Sequence, residues 1–385
     1  MSSTLVNAPY ALKAVCPRKD LLEAVQVVAH AVSGRTSLPI LSHILLEAHE
    51  DGLRLTASDL ELGISTTVPR ATIENPGAIT APARLLSELL SELPEADVSL
   101  SADLTHAVRI RCLNSDYKVL GLPSEDYPRL PEVPEDLHLT IPQRTLRDMI
   151  RKTLFAASQE EARPILTGIL MVLKEDRLSL VATDTHRLAV RTTRVPAAHG
   201  SNQALVPARA MNEVLRLLED ADGDVHVRFS NNQVLFLTPD GITLVSRLIE
   251  GQFPSYERVI PTECDKKLTL PTQSLQRAIK RAAIVARNDA NRVVLQTVKD
   301  MLVIRAESQQ DGTAYEELEV AREGEDIEIA FNAKYLLDIL AVTDTEGFRL
   351  ELTEPLKPGV AKPVPEDEGD DTNTYLCVLM PMHLV

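Results

Sequence analysis

The chain has 385 residues, 44% hydrophobic and 25% charged, which is enough apolar material for several hydrophobic cores. Its 56 acidic and 40 basic residues give a net charge of −16, which should repel nucleic acid overall. No stretch approaches the roughly 20 apolar residues of a membrane span, and the first residues lack a signal-peptide pattern, so we expect a cytoplasmic protein that does not contact a membrane.

A unit of about 125 residues is repeated three times along the chain. Pro39-Ile40-Leu41 returns as Pro164-Ile165-Leu166, and Pro82-Ala83-Arg84 returns as Pro207-Ala208-Arg209, each 125 positions later. A more divergent third copy places Asn332-Ala333-Lys334 another 125 positions on. This period is longer than the roughly 20 to 50 residues of solenoid repeats and matches a whole domain. The predicted domains are residues 1–132, 133–261 and 262–385.

Within the first unit, the spacing of apolar residues predicts helices and strands in alternation. Leu21, Val25 and Val28 recur at helical spacing, and a second helix is predicted to begin at Pro82. Residues 53–56 alternate as a strand does, and residues 108–111 and 117–120 form a predicted strand pair. The sequence therefore predicts an α+β unit with two helices on one face of a mainly antiparallel sheet.

Charge is distributed unevenly in the second and third units. Residues 144–157 form a predicted helix with basic side chains around an apolar stripe, and a similar basic helix is predicted near residues 275–287. Acidic residues cluster in a predicted strand at 315–319 and in the run 366–371. Residues 354–374, rich in proline and acidic residues, are predicted to form a long mobile connection. A solvated charged face is the alternative interpretation of the basic helices.

No catalytic or metal-binding motif is present in the sequence. Asp184, His186 and Arg187 lie close together, but no nucleophile motif or phosphate-binding loop accompanies them. The histidines and four cysteines lack zinc-site spacing. We therefore expect neither an enzyme nor a cofactor.

Several motifs together resemble the bacterial DNA sliding clamp, the beta subunit of DNA polymerase III, over the whole chain and in order. They are residues 35–41, 56–61, 182–189 (ATDTHRLA), 246–256 (SRLIEGQFPSY), 281–284 and 378–382 (VLMPM). The resemblance implies three DNA-clamp domains per chain and a head-to-tail homodimer that closes a ring of six domains around double-stranded DNA. It implies a non-catalytic processivity factor with the polymerase III catalytic subunit, the clamp loader, and repair and translesion polymerases as partners.

The resemblance also implies three sets of site residues. The predicted partner-peptide pocket, which takes short hydrophobic motifs, comprises Leu166, Thr183, His186, Arg187, Leu188, Pro254, Arg258, Val259, Asn332, Tyr335, Leu356, Val378, Leu379, Met380, Pro381 and Met382. The predicted DNA contacts, Arg35 by family position and the others by helix placement, are Arg35, Arg84, Arg151, Arg209 and Arg281. The predicted dimer interface, with opposite charges and apolar anchors, comprises Arg109, Arg111, Tyr117, Lys118, Val119, Ile284, Val285, Glu316, Glu317 and Glu319.

The sequence departs from the family at two places near the predicted pocket. Thr185 stands where glycine is common, and His383 stands where a basic residue is usual. Two other functions remain as alternatives: a monomeric scaffold of three repeats, and an enzyme with an unrecognised site. A mass of one chain in solution would indicate the scaffold, and turnover of a substrate would indicate the enzyme.

Overall fold

The computed structural model describes residues 12–32, 34, 38–103, 105–131, 133, 138–195, 201–364 and 373–384. Two predicted features, Arg35 and the acidic run 366–371, lie outside the described residues. Within this part of the chain, no helix combines the length and the apolar character that crossing a bilayer requires.

Each repeat contributes two helices to the described part of the chain. These are α1 (Arg18–Ala29), α2 (Ala83–Glu92), α3 (Gln143–Leu154), α4 (Ala208–Leu217), α5 (Thr272–Ala286) and α6 (Ala333–Ala341). Proline immediately precedes α1, α2 and α5, and Pro82 lies one position before α2 rather than inside its first turn. In α6 the cap is Asn332, whose side chain accepts a hydrogen bond from the backbone N–H of Lys334. The helices predicted from apolar spacing are confirmed, with Leu21, Val25 and Val28 fully buried.

Strands make up most of the remaining structure. The first repeat contains β1 (Leu12–Pro17), β2 (His43–His49), β3 (Gly52–Ser58), β4 (Leu62–Val68), β5 (Thr72–Asn75), β6 (Gly77–Pro82), β7 (Asp97–Ala102), β8 (Ala107–Cys112) and β9 (Ser115–Leu120). The second contains β10 (His138–Pro142), β11 (Gly168–Lys174), β12 (Arg177–Thr183), β13 (Arg187–Arg194), β14 (Asn202–Pro207), β15 (Asp224–Phe229), β16 (Gln233–Leu237) and β17 (Thr243–Arg247). The third contains β18 (Lys266–Pro271), β19 (Arg292–Val298), β20 (Met301–Ser308), β21 (Gly312–Glu319), β22 (Ala321–Glu323), β23 (Glu328–Asn332), β24 (Gly347–Leu352), β25 (Gly359–Val364) and β26 (Thr374–Leu379).

Among the described residues these strands form four antiparallel sheets. Their orders are β5-β1-β7-β8-β9, β10-β15-β16-β17-β4-β3-β2-β6, β14-β11-β12-β13-β26-β25-β24-β18-β22 and β21-β20-β19-β23. Pairing of β4 with β17, and of β13 with β26, makes each larger sheet from strands of two consecutive repeats. The α+β class, the antiparallel sheets, the β8–β9 pair and the acidic strand β21 are all as predicted.

The chain divides into two compact units that cut across the second repeat. The first unit comprises residues 1–143 and 216–247, and the second comprises residues 144–215 and 248–385. The division follows the sheets. Strands β10 and β15 to β17 share a sheet with strands of the first repeat, and β11 to β14 share a sheet with strands of the third. The domain boundaries predicted from the repeat remain a prediction.

The predicted connection at residues 354–374 is wrong over part of its length, because Gly359–Val364 form β25. This strand pairs with β24 over residues 360–364 but with β26 only over residues 359–361. Pro363 therefore lies where one side of the strand has no partner among the described residues, and a proline can occupy such a position without removing a sheet hydrogen bond. Burial of Val360 and Ala361 stabilises the strand in spite of its proline content.

Candidate functional site

The turn between β12 and β13 is organised by its own side chains. Asp184 Oδ1 accepts hydrogen bonds from the backbone N–H groups of His186 and Arg187, each at 3.0 Å. The Thr183 hydroxyl donates to the carbonyl oxygen of Arg187 at 2.7 Å. Thr185 has φ +79°, in the left-handed region that favours glycine.

Arg187 is a buried cation at the end of this turn, with 8% of its surface exposed. Its guanidinium donates to Asp184 Oδ2 at 3.0 Å, to Asp338 Oδ2 of α6 at 2.5 Å and to the carbonyl oxygen of Phe155, just after α3, at 2.6 Å. It also lies over the ring of Tyr335, 4.4 Å from the centroid. Two carboxylates and an aromatic face compensate the buried charge, so Arg187 ties the turn to α3 and α6.

A mainly apolar cavity of about 200 Å³ opens beside this turn, within the second compact unit. Its walls come from the turn, from β26 and from the segment before β18. They are Leu166, Thr183, Thr185, Arg187, Leu188, Pro254, Ser255, Tyr256, Val259, Val378 and Met380. We call it the apolar cavity. Burial, together with the neighbouring carboxylate of Glu257, to which its hydroxyl is hydrogen-bonded, raises the pKa of Tyr256 to about 12.

A more open cavity of about 500 Å³ adjoins the first and shares the Met380 wall. It is lined by His186, Ala290, Arg292, Asn332, Tyr335, Met380, Pro381, Met382 and His383. We call it the polar cavity after its histidine, arginine and asparagine side chains, although apolar groups make up most of its lining. The backbone N–H of Met380 donates to the carbonyl oxygen of His186 at 2.9 Å, and that of Met382 donates to Ala330 at 2.8 Å. These bonds fix the terminal segment between the two cavities.

The structure brings most of the predicted pocket residues together in these two cavities. Three predicted residues line neither of them. Leu379 is buried in β26, Arg258 belongs to the short turn Tyr256–Val259, and Leu356 is 60% exposed.

The structure also adds residues that the prediction missed, namely Thr185, Ser255, Tyr256, Ala290, Arg292 and His383. Thr185, Ser255 and Tyr256 lie inside the quoted motifs, and His383 directly follows the last one. Ala290 and Arg292 have no sequence signal, because only the fold brings the start of β19 to the terminal segment.

Each described arginine among the predicted DNA contacts lies on a different helix. Arg84 on α2 is paired with Glu88 at 2.8 Å, and Arg151 on α3 is paired with Asp344. Arg281 on α5 is paired with Glu316 of β21 at 2.5 Å. Arg209 is exposed at the start of α4. Three of these cations therefore have a carboxylate partner that a phosphate would have to displace.

Among the predicted interface residues of the first repeat, the basic side chains have partners within their own sheet. Arg109 and Arg111 both pair with Asp116, and Lys118 lies 3.8 Å from Asp103. Val119 is only 5% exposed, so it packs in its own core. Tyr117 is 40% exposed on β9, the last strand of its sheet.

In the third repeat, the predicted interface residues surround β21, which is also the last strand of its sheet. Ile284 is 65% exposed and Val285 is half-buried. Glu317 accepts a hydrogen bond from Tyr315, and Glu319 is exposed. Both edge strands therefore combine charged side chains with exposed apolar ones.

Comparison with known proteins identifies the family. Models of the N-terminal, central and C-terminal domains of the DNA polymerase III beta subunit match residues 12–131, 140–255 and 257–382. The beta sliding clamp of Staphylococcus aureus is 34% identical over 355 residues, which is 90% of this chain and 93% of the relative.

Solved structures agree with the sequence comparison. The DNA polymerase sliding clamp of Bacillus subtilis has a TM-score of 0.92 and 31% identity, covering 97% of this chain and all of the other. The DNA polymerase III subunit beta of Pseudomonas aeruginosa has a TM-score of 0.90 and 33% identity with the same coverage.

The fold of three tandem clamp domains is thus that of a DNA polymerase processivity factor. The chain belongs to the family of beta sliding clamps. It is a non-catalytic component of DNA replication, and membership in this family implies DNA and a polymerase as partners.

Proposed function

We propose that two copies of the chain close head to tail as a ring that encircles duplex DNA and holds replication proteins there through peptides bound in the apolar and polar cavities. In this assembly residues 1–132, 133–261 and 262–385 are the three domains of each chain. The pair of adjoining cavities around Met380 is the observation that supports the peptide-binding site. An apolar recess with a few polar groups suits a short hydrophobic peptide, and methionine side chains adapt to different ones.

Ring closure is supported by the two edge strands. Leu113, in the turn before β9, and Leu120, the last residue of β9, are 75% and 73% exposed, and Tyr315 of β21 is 63% exposed. A heterologous contact between β9 of one copy and β21 of the other would pair both edges and cover these side chains. Such a contact also places the basic residues of β8 and β9 opposite the acidic residues of β21.

The proposed partners are the catalytic subunit of polymerase III, the clamp loader, and repair and translesion polymerases. Each would present a short hydrophobic motif to the same cavities. Tethering by such a motif raises the effective concentration of the polymerase at its template without any catalytic step by the ring.

The decisive experiment tests topological linkage to DNA. The protein is loaded onto a nicked circular plasmid with a clamp loader, isolated by gel filtration and then treated with an enzyme that cuts the circle once. We expect release on cutting, and retention when the linear ends are blocked by bound protein. Persistence on an open linear duplex would show that binding is not topological. A mass of one chain by sedimentation would favour the alternative, a monomeric scaffold.

A further inference from the structure

A third cavity, an open groove, lies in the first compact unit and shares no lining residue with the two cavities of the proposed peptide site. Its volume is about 550 Å³, and it lies on one face of the sheet where β4 meets β17. The floor consists of side chains from β2, β3, β4, β16 and β17, and residues 128–131 form one rim. We call it the hydroxyl groove, because Thr56, Ser65 and Thr243 lie side by side across its floor.

The groove is preformed, because its rim is fixed to the sheet. The buried Tyr127 hydroxyl donates to the carbonyl oxygen of His43 at 3.2 Å and accepts from the backbone N–H of Ser58 at 3.0 Å. Three residues further on, Leu130 packs so closely on Gly63 that any side chain at that glycine would collide with it. A fixed rim loses little conformational entropy of its own when a ligand binds.

The repeat supplies an internal comparison for this groove. Moving 125 positions along the chain takes Glu47, Thr56 and Ser65 to Val172, Val181 and Val190. Those valines belong to an apolar cluster of the second compact unit, against which Phe253, Tyr256 and Ile260 pack. The same face of the same fold is thus apolar and covered in one unit, and polar and open in the other. The groove therefore follows from this sequence and is not an unavoidable consequence of the fold.

The charged residues of the groove indicate the kind of ligand. Arg54 and Arg129 line it and are exposed, and their guanidinium groups make no ion pair or hydrogen bond with any residue that the structure describes. Glu47 stands opposite Arg54 in the strand register, so the groove carries a net charge of about +1. This is an exception in a chain of net charge −16. Two unpaired guanidiniums beside a row of hydroxyl groups are suited to carboxylates.

We propose that the hydroxyl groove binds a short acidic segment of a partner protein. Carboxylates of the segment pair with Arg54 and Arg129, and the hydroxyls of Ser65 and Thr243 bond its polar groups. Thr56, which is buried, holds the Ser65 hydroxyl through a hydrogen bond of 3.0 Å, and Glu47 accepts from one of the N–H groups of the segment. This binding depends neither on ring closure nor on the hydrophobic motif. A partner that carries both kinds of segment would gain avidity from holding two sites.

The test uses fluorescence anisotropy of a labelled octapeptide that alternates glutamate and serine, with a matched peptide of glutamine and serine as control. We expect the full-length protein to bind the acidic peptide more tightly, and the preference to shrink as salt rises. The double variant Arg54→Gln with Arg129→Gln should weaken binding about tenfold, as expected for the loss of two exposed ion pairs. Arg177→Gln, an exposed strand arginine of the other unit, should leave affinity unchanged.

A second variant separates the groove from the charge alone. The double variant Thr56→Val with Ser65→Val introduces the valines found at the equivalent positions 181 and 190 and keeps both arginines. It should also weaken binding, without lowering the melting temperature. Equal affinity for the two peptides, or wild-type affinity in the arginine double variant, would overturn the proposal. Displacement of the peptide by a short DNA duplex through the same two arginines would assign the groove to nucleic acid and overturn it as well.

Discussion

At the residue scale, Arg187 holds together the elements around the apolar cavity. Its guanidinium is already bonded to two carboxylates and a backbone carbonyl, and the residue also lines the apolar cavity. A bound peptide therefore meets a fixed surface at this point instead of a free cation. The predicted pocket includes Arg187, but the sequence gives no indication of its link to α6.

Replacing Arg187 by alanine should lower the free energy of unfolding by about 3 kcal/mol, because Asp184 and Asp338 would be left as partly buried carboxylates without their cation. Arg187→Lys should cost less, since one ammonium keeps the charge but cannot reach all three acceptors. Urea denaturation followed by circular dichroism measures both variants, with Arg177→Gln as the exposed control. A loss for alanine no larger than that of the control would contradict the role assigned to Arg187.

The four cysteines should differ sharply in reactivity. Burial raises the pKa of Cys16 and of Cys377 to about 12, and Cys112 is buried as well. A raised pKa depletes the thiolate, which is the reactive form, at pH 8. Burial raises the pKa of Cys264 too, but this thiol is only half-buried and is therefore the most accessible of the four. Titration with Ellman's reagent at pH 8 should therefore find about one reactive thiol in the folded protein and four after denaturation. Rapid reaction of a second thiol in the folded state would show that one of the buried sites opens.

At the element scale, the sequence predicts the helices and strands whose structure depends mainly on their own residues. Apolar spacing located α1, α2, α3 and α5, and alternation located the β8–β9 pair. The sequence did not predict β25, because its proline content is untypical of a strand. Pairing with β24 stabilises this strand in the fold. The sequence also missed Arg292 in the polar cavity, because that contact depends on tertiary folding alone.

Ring closure through β9 and β21 can be tested at Ile284. Its side chain is 65% exposed, so Ile284→Arg should not disturb the fold, but it should place an unpaired charge in the proposed interface. Sedimentation velocity should show the wild type at twice the chain mass of 42.4 kDa and the variant at that mass. Leu60→Arg, at an exposed leucine in the β3–β4 turn, serves as the control and should remain a dimer. A dimeric Ile284→Arg protein would show that the interface lies elsewhere.

Removal of residues 380–385 should abolish binding of hydrophobic partner peptides while the protein remains dimeric. The segment supplies Met380 to both cavities and Pro381, Met382 and His383 to the polar one. Each apolar anchor lost from a desolvated pocket typically costs roughly 2 kcal/mol or more of binding free energy. Isothermal titration with a peptide of the QLxLF type measures the effect, and sedimentation checks the dimer. Unchanged affinity would remove the peptide site from these cavities.

At the scale of the whole molecule, the net charge of −16 opposes DNA binding by the free chain. Three of the proposed DNA-contacting arginines are paired with carboxylates in this structure, which lowers their attraction for phosphate further. Weak contacts that ignore base sequence are compatible with a protein that slides along DNA. A closed ring provides retention that such contacts alone do not provide.

Neutralising Arg84 should weaken DNA binding to the same extent for every base sequence. Arg84 is highly exposed on α2, and among the residues that the structure describes it pairs only with Glu88, one helical turn away, so a phosphate can replace that partner at little cost. Loss of one phosphate contact should reduce the slope of log affinity against log salt by about 0.9, because fewer counterions are released. The measurement is anisotropy of two duplexes of unrelated sequence over a series of salt concentrations, comparing Arg84→Gln with Arg177→Gln. If Arg84→Gln weakened one duplex and spared the other, Arg84 would be reading bases, and its assignment as a phosphate contact would be wrong.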